Sequence, residues 1–92
     1  MCFEIRRLAA DDVVLMRALN RLFAEAFEDA ENYLERPPSE AWLRRLLGGP
    51  AFVALVALDE DAVVGGITAY ELLKFEQERS EFFLYDLAVA ES

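Results

Sequence analysis

Hydrophobic and polar positions change their period several times along the chain, and each change marks an element. Phe3 and Ile5 alternate with Glu4 and Arg6, a period of two that predicts a short first strand from Phe3 to Leu8. From Asp12 the period becomes helical. Leu15, Leu19, Leu22, Phe23, Ala26 and Phe27 recur at spacings of three and four and fall on one stripe, with Asp11 placed to cap the helix. An acidic lip follows (Glu25, Glu28, Asp29, Glu31 and Glu35) before Pro37-Pro38, which cannot continue a helix. Ser39 caps a second helix with the narrow stripe Trp42, Leu43, Leu46 and Leu47, and Gly48-Gly49-Pro50 stops it. Positions on such stripes pack inward, so Trp42, Phe23 and Phe27 are expected in the core.

The run "AFVALVAL", Ala51 to Leu58, is apolar on both faces, as suits a central strand covered on each side by helices. Asp59 to Ala62 turn the chain, and Val63 to Tyr70 return as the next strand, where Gly65-Gly66 permits a bulge or a close backbone approach. A charged connection, Glu71 to Ser80, leads into a last strand from Glu81 to Val89. Strand, helix, helix, strand, strand, strand predicts an α+β fold: a mainly antiparallel sheet with helices packed on it. No later strand follows Val89. Its unpaired backbone groups and apolar side chains predict pairing with a second copy, a homodimer.

Composition bounds the rest. At 92 residues the chain is one domain at most, and 55% hydrophobic content supplies a core rather than the signature of disorder. Eighteen acidic against nine basic residues give a net charge of -9, which repels phosphate backbones and anionic headgroups, so neither nucleic acid nor membrane is an expected partner. No apolar run approaches the roughly 20 residues of a membrane span, and "MCFEIRRLAADD" has no signal-peptide core, so a cytoplasmic location is expected. Cys2 is the single cysteine and histidine is absent, which excludes an internal disulfide, Cys/His metal sites and histidine triads; no metal is expected. Chemistry is left to carboxylates, tyrosines, backbone amides or a bound co-substrate.

The stretches from Phe52 to Asp59, "VVGGITAY" at Val63 to Tyr70, "KFEQERSE" at Lys74 to Glu81 and "LYDLAV" at Leu84 to Val89 occur in an informative order. Together they resemble the N-terminal part of the aminoglycoside 3-N-acetyltransferases, the gentamicin acetyltransferases, in the Gcn5-related N-acetyltransferase superfamily. The resemblance runs along the whole chain, and "KFEQ-x-RSE" and "YDLAV" are its most specific parts. It implies acetyl-CoA as co-substrate and an aminoglycoside or other polyamine as acceptor. The last strand would be the fourth of that fold, splayed from a fifth to open a cleft.

By this resemblance Leu87, Ala88 and Val89 supply main-chain groups to pantetheine and the acetyl carbonyl. A backbone N–H aimed at the thioester oxygen stabilises the charge that grows there, and losing one such donor costs about 3 to 4 kcal/mol. Asp86 would orient or deprotonate the attacking amine, the alternative being a solvated edge acid. Asp29 and Tyr33 in the acidic lip, and Glu76 and Glu81 in the charged connection, would hold the polycation. The alternatives there are a solvated helix end and an ordinary charged connection, because exposed ion pairs contribute only about 0.2 to 1 kcal/mol. Lys74 and Arg79 are expected to pair with neighbouring acids. Residues 1–92 then read as an incomplete acetyltransferase domain. Only Ala90-Glu91-Ser92 stand where the family has a basic, Gly-containing pyrophosphate loop, so this stretch alone is expected to bind acetyl-CoA poorly and not to turn over. Two competing readings are a non-catalytic module that self-associates through its open strand, and an acetyltransferase for another amine.

Overall fold

The structure, a computed structural model, describes residues 3–91; Cys2 and Ser92 lie outside the described residues. Seven elements follow one another: β1 (Glu4–Arg7), α1 (Val13–Ala26), α2 (Ala30–Tyr33), α3 (Glu40–Gly48), β2 (Phe52–Asp59), β3 (Ala62–Leu73) and β4 (Ser80–Val89). The strands form one sheet in the order β1-β2-β3-β4, every neighbouring pair antiparallel. This is the α+β architecture expected. Two details differ. The acidic lip contains the short helix α2, and the charged connection is largely strand: Leu72 pairs with Glu81 and Leu73 with Ser80, leaving residues 74–79 as the hairpin loop.

Helix α1 starts one residue later than the pattern suggested, and Asp12 rather than Asp11 holds the N-cap position. The Asp12 side chain turns back from the helix, accepting from Arg6 Nη2 at 2.7 Å and from the Ala9 backbone N–H at 2.8 Å. It thereby ties β1 to α1. At the other end Asp29 N–H donates to the Ala24 carbonyl and Glu28 N–H to that of Glu25, closing a Schellman motif in which Glu28 takes a φ of 51°. Helix α3 is capped by Ser39, whose hydroxyl accepts from Trp42 N–H at 3.1 Å.

The helices cover one face of the sheet. Leu19, Phe23 and Leu43 meet the inward row Phe52, Ala54, Val56 and Leu58. At Gly66 the approach is close, since a Cβ there would stand 2.3 Å from Leu19 Cδ1 and 3.1 Å from the Leu55 carbonyl oxygen. The expectation that β2 is covered on both sides does not hold: Val53, Leu55 and Ala57 alternate with the buried row and are only half-buried. On this second face the register aligns Ile5, Ala57, Gly65 and Val89 in one row and Leu55, Ile67 and Leu87 in the next, with no helix over them among the described residues. The stripe rule also fails at two aromatic positions. Phe23 is buried at 1% exposure, but Phe27, the C-cap residue of α1, is 43% exposed and Trp42, on a groove wall, is 55% exposed.

Candidate functional site

Among the described residues β4 ends the sheet, so one of its edges is paired and the other is open. The Ala90 N–H to Val64 carbonyl hydrogen bond, with Val89 opposite Gly65, sets the phase of that ladder. Antiparallel pairs alternate, so Ala88 exchanges its main-chain bonds with Gly66, whereas Leu87 and Val89 turn their N–H and C=O groups to the open edge. Of the three positions expected to supply main-chain groups, Leu87 and Val89 face the open edge, and the Ala88 backbone is committed to β3.

The ladder also breaks. Thr68 pairs with Asp86 but Ala69 pairs with Leu84, which leaves Tyr85 as an extra residue in a β-bulge. As a result both Tyr85 and Asp86 line the cavity under the helices, together with Thr68 and Tyr70 of β3. Across that cavity stands Tyr33 of α2. The helix exists there because Asp29 caps it, accepting from Asn32 N–H at 3.3 Å and from Asn32 Nδ2 at 2.8 Å. The Tyr33 ring packs against Phe23 and Phe27 with centroids 5.9 and 6.0 Å away, and its hydroxyl donates to Asp86 Oδ2 at 2.8 Å.

Electrostatics fixes which partner holds the proton. Burial pushes the Tyr33 phenol up to about 12, helped by the hydrogen bond to Asp86 and by the negative charges of Asp86 and Asp29. Tyr33 therefore stays neutral and donates across the physiological range, with Asp86 the acceptor. Tyr70 is also raised, first by burial and then by Tyr85 and Asp86 nearby. The arrangement presents a half-buried carboxylate with one oxygen held by Tyr33 and with Oδ1 lacking a protein donor among the described residues. Such a group can receive an ammonium, orient it, and take its proton.

Asp29, Tyr33 and Asp86 are thus brought together, although the Asp29 carboxylate is occupied by Asn32. Glu76 and Glu81 are not part of this cluster. Both pair with Arg79, at 3.9 Å from Glu76 Oε2 and more tightly to Glu81 Oε2, while Lys74 Nζ lies 3.9 Å from Glu81. Glu81 sits about 16 Å from Asp86 along β4 at the strand's rise per residue. Lys74 and Arg79 do pair with neighbouring acids as expected. Sequence reasoning passed over Tyr70, Tyr85, Thr68 and Trp42, all of which line the cavity. The signal for the first and third was present: Thr68 and Tyr70, two apart on one strand face, interrupt an otherwise apolar inward row. Among the described residues no group of three His, Cys, Asp or Glu could hold a metal ion, and no helix is long and apolar enough to cross a membrane.

Comparison with known proteins gives this geometry its context. A solved aminoglycoside acetyltransferase from an uncultured soil metagenomic sample is 49% identical, with a TM-score of 0.95 over 99% of this chain and 60% of that one. A second metagenomic aminoglycoside acetyltransferase, solved in complex with sisomicin, is 36% identical with a TM-score of 0.85 over 96% of this chain and 56% of that one. A ribosomal-protein-alanine N-acetyltransferase from Brucella melitensis biovar Abortus 2308, 18% identical with a TM-score of 0.64, shares the fold alone. No family model and no curated protein matches. The chain belongs to the Gcn5-related N-acetyltransferase fold. Within it the chain is similar to the aminoglycoside acetyltransferases, and it spans 60% and 56% of the length of the two it matches best among those described above.

Proposed function

We propose that this chain carries the acceptor side and the thioester edge of an acetyl-CoA-dependent aminoglycoside N-acetyltransferase, an antibiotic-resistance enzyme of the cytoplasm. The observation that carries the reading is the Tyr33–Asp86 hydrogen bond beside the bulged, unpaired edge of β4. Asp86 receives an acceptor ammonium, fixes its direction and removes its proton. Tyr33 keeps the carboxylate in place and, remaining protonated, does not compete for that proton. The main-chain groups of Leu87 and Val89 on the open edge suit an extended pantetheine arm, and a fixed N–H there opposes the negative charge on the acetyl oxygen. Acetyl-CoA supplies the acyl group as an activated thioester. The amine nitrogen forms a bond to the acetyl carbon, the carbon–sulfur bond breaks, and CoA leaves as a thiolate that takes up a proton. Asp29 contributes negative potential rather than a direct contact, because its oxygens serve Asn32. Glu76 and Glu81 act at a distance, as a negative surface that Arg79 and Lys74 partly neutralise.

The test uses the full-length protein of the reading frame that contains these residues, with acetyl-CoA and sisomicin, following thiol release. Asp86→Asn is expected to lower kcat/KM by at least about 100-fold, the usual scale of a lost general base. Glu76→Gln should leave it nearly unchanged. Absence of acetyl transfer to any aminoglycoside amine, or an Asp86→Asn enzyme within a few-fold of wild type, would overturn the assignment.

A second reading has its own support. Phe82, Phe83, Leu84, Leu87 and Val89 are each more than half exposed on the edge strand, which favours self-association into a homodimer through β4. Sedimentation of these 92 residues at rising concentration decides it, a monomer throughout excluding the dimer.

A further inference from the structure

Beside the Asp86 cavity, of about 180 Å³, lies a larger groove of about 420 Å³ that the acetyl-transfer chemistry leaves unused. Its walls are mainly apolar and aromatic: Trp42 and Leu46 of α3, Phe52 at the start of β2, and Tyr70 of β3. These same four residues also line the Asp86 cavity, so the two spaces are one continuous trough. Trp42 is the only tryptophan in the chain and stands 55% exposed despite its place on the apolar stripe of α3. Phe52 and Tyr70 form a tilted pair with centroids 5.1 Å apart, and Tyr85 meets Tyr70 edge-on at 5.6 Å, joining the floor to the bulge beside Asp86. The only charged residue on the lining of the larger groove is Arg45, its guanidinium carbon 6.0 Å from the centre of the Trp42 ring.

We propose that this groove is a second acceptor subsite, in which a sugar ring stacks by its C–H face on Trp42 while Arg45 favours hydroxyl over ammonium substituents. The inference rests on the amine-binding role of Asp86, and adds to it which part of the acceptor lies where. The volume is within the roughly 300 to 1,000 Å³ of ligand pockets, and the mixture of aromatic walls with one polar group is the usual make-up of such sites. Pyranose rings present apolar C–H faces to aromatic planes and hydroxyls at their rim. The five N–H donors of Arg45 match those hydroxyls. An ammonium at the same place would meet a fixed positive charge. Charge thus divides the trough: the carboxylate of Asp86 holds the cationic ring that reacts, and the Trp42–Arg45 end holds the less charged one.

The experiment titrates the full-length protein with trehalose, an uncharged disaccharide, and with sisomicin, reading tryptophan fluorescence with the Trp42→Phe protein as the blank that isolates Trp42 and, independently, calorimetric heat. Wild-type emission is expected to shift with trehalose, and Asp86→Asn should leave that response intact while weakening sisomicin. Trp42→Ala should lower trehalose affinity about fivefold or more, with Trp42→Phe retaining most of it. Arg45→Gln should move the sisomicin-to-trehalose affinity ratio about threefold toward sisomicin, the scale of one exposed charge. Both side chains are exposed, and unchanged thermal unfolding confirms that the variants fold. A trehalose titration that leaves Trp42 emission and heat flat, a Trp42→Ala protein with wild-type affinity, or an Arg45→Gln protein with an unchanged ratio overturns the subsite. Should sisomicin binding ignore Asp86→Asn while trehalose still reports through Trp42, the subsite stands and the amine-site reading falls.

Discussion

Removing the hydroxyl of Tyr33 isolates the contact on which the candidate site depends. In Tyr33→Phe the ring can keep its packing on Phe23 and Phe27, while the donor to Asp86 Oδ2 is lost. The phenol rises from 10.0 to about 12, a preference for the protonated form worth about 2.7 kcal/mol at the usual conversion. Burial is the largest cause, so the share that Asp86 supplies is smaller, and partial solvent exposure reduces it again. Hydrogen bonds to charged groups are worth about 1.5 to 3 kcal/mol when well shielded. A coupling energy of about 1 kcal/mol is the expected result for this half-open pair. Urea unfolding of wild type, Tyr33→Phe, Asp86→Asn and the double variant measures it directly. Alkaline titration of tyrosinate absorbance gives a second reading: in Asp86→Asn the Tyr33 midpoint should fall from about 12 toward, but not to, 10.0, since burial remains. The sign for stability follows. A folded-state value above the unfolded one means that the contribution is complete below pH 10 and is lost as pH rises through about 12. A coupling below about 0.3 kcal/mol, within the scatter of independent sites, would refute the claim that this bond ties α2 to β4.

Three other expectations concern the scaffold. Gly66→Ala should destabilise by about 1 to 3 kcal/mol in thermal or denaturant unfolding, because its Cβ would stand 2.3 Å from Leu19 Cδ1 in the core, whereas Gly65→Ala meets only contacts of 3.5 Å or more and should be tolerated. Glu28→Gly should raise stability by about 1 kcal/mol, relieving a left-handed φ of 51° at the end of α1 without altering the Schellman bonds; an unchanged or lower midpoint would count against strain there. Asp12→Ala should cost more than Arg6→Ala, about 2 to 3 against about 1 kcal/mol, since Asp12 accepts two bonds at 8% exposure while Arg6 is 44% exposed.

The legible parts of the fold were those in which local pattern and tertiary environment agree. Leu19, Leu22 and Phe23 recur at helical spacing and are buried, and Ser39 caps α3 as its sequence position suggests. Misreadings arose where one pattern fits two environments. Continuous apolar text in β2 suits burial on both faces, yet among the described residues no helix covers one of those faces. Trp42 obeys the helical stripe but is 55% exposed and forms a groove wall with Phe52 and Tyr70. Glu76 and Glu81 share a charged segment with Lys74 and Arg79, and their nearest partners proved to be those cations. Asp86 was recognisable as an acid in an apolar strand, but its donor lies 53 residues away on a helix too short to carry a periodic signal.

The bulge at Tyr85 connects these observations. In a regular strand Tyr85 and Asp86 would project to opposite faces, and an aromatic wall could not stand beside the carboxylate from consecutive positions. Inserting one unpaired residue between Leu84 and Asp86 allows both to line the same cavity, with Ala88 still packed in the core two residues on. The same register keeps the Ala88 main chain on Gly66 and turns the groups of Leu87 and Val89 outward. One irregularity therefore sets three things at once: the acid beneath the helices, the tyrosine that continues the floor toward Trp42, and the phase of the open edge. The break falls inside the run "FFLYDLAV", at Tyr85. The register of β4 on β3 shifts by one residue at this point, and the candidate site occupies the joint.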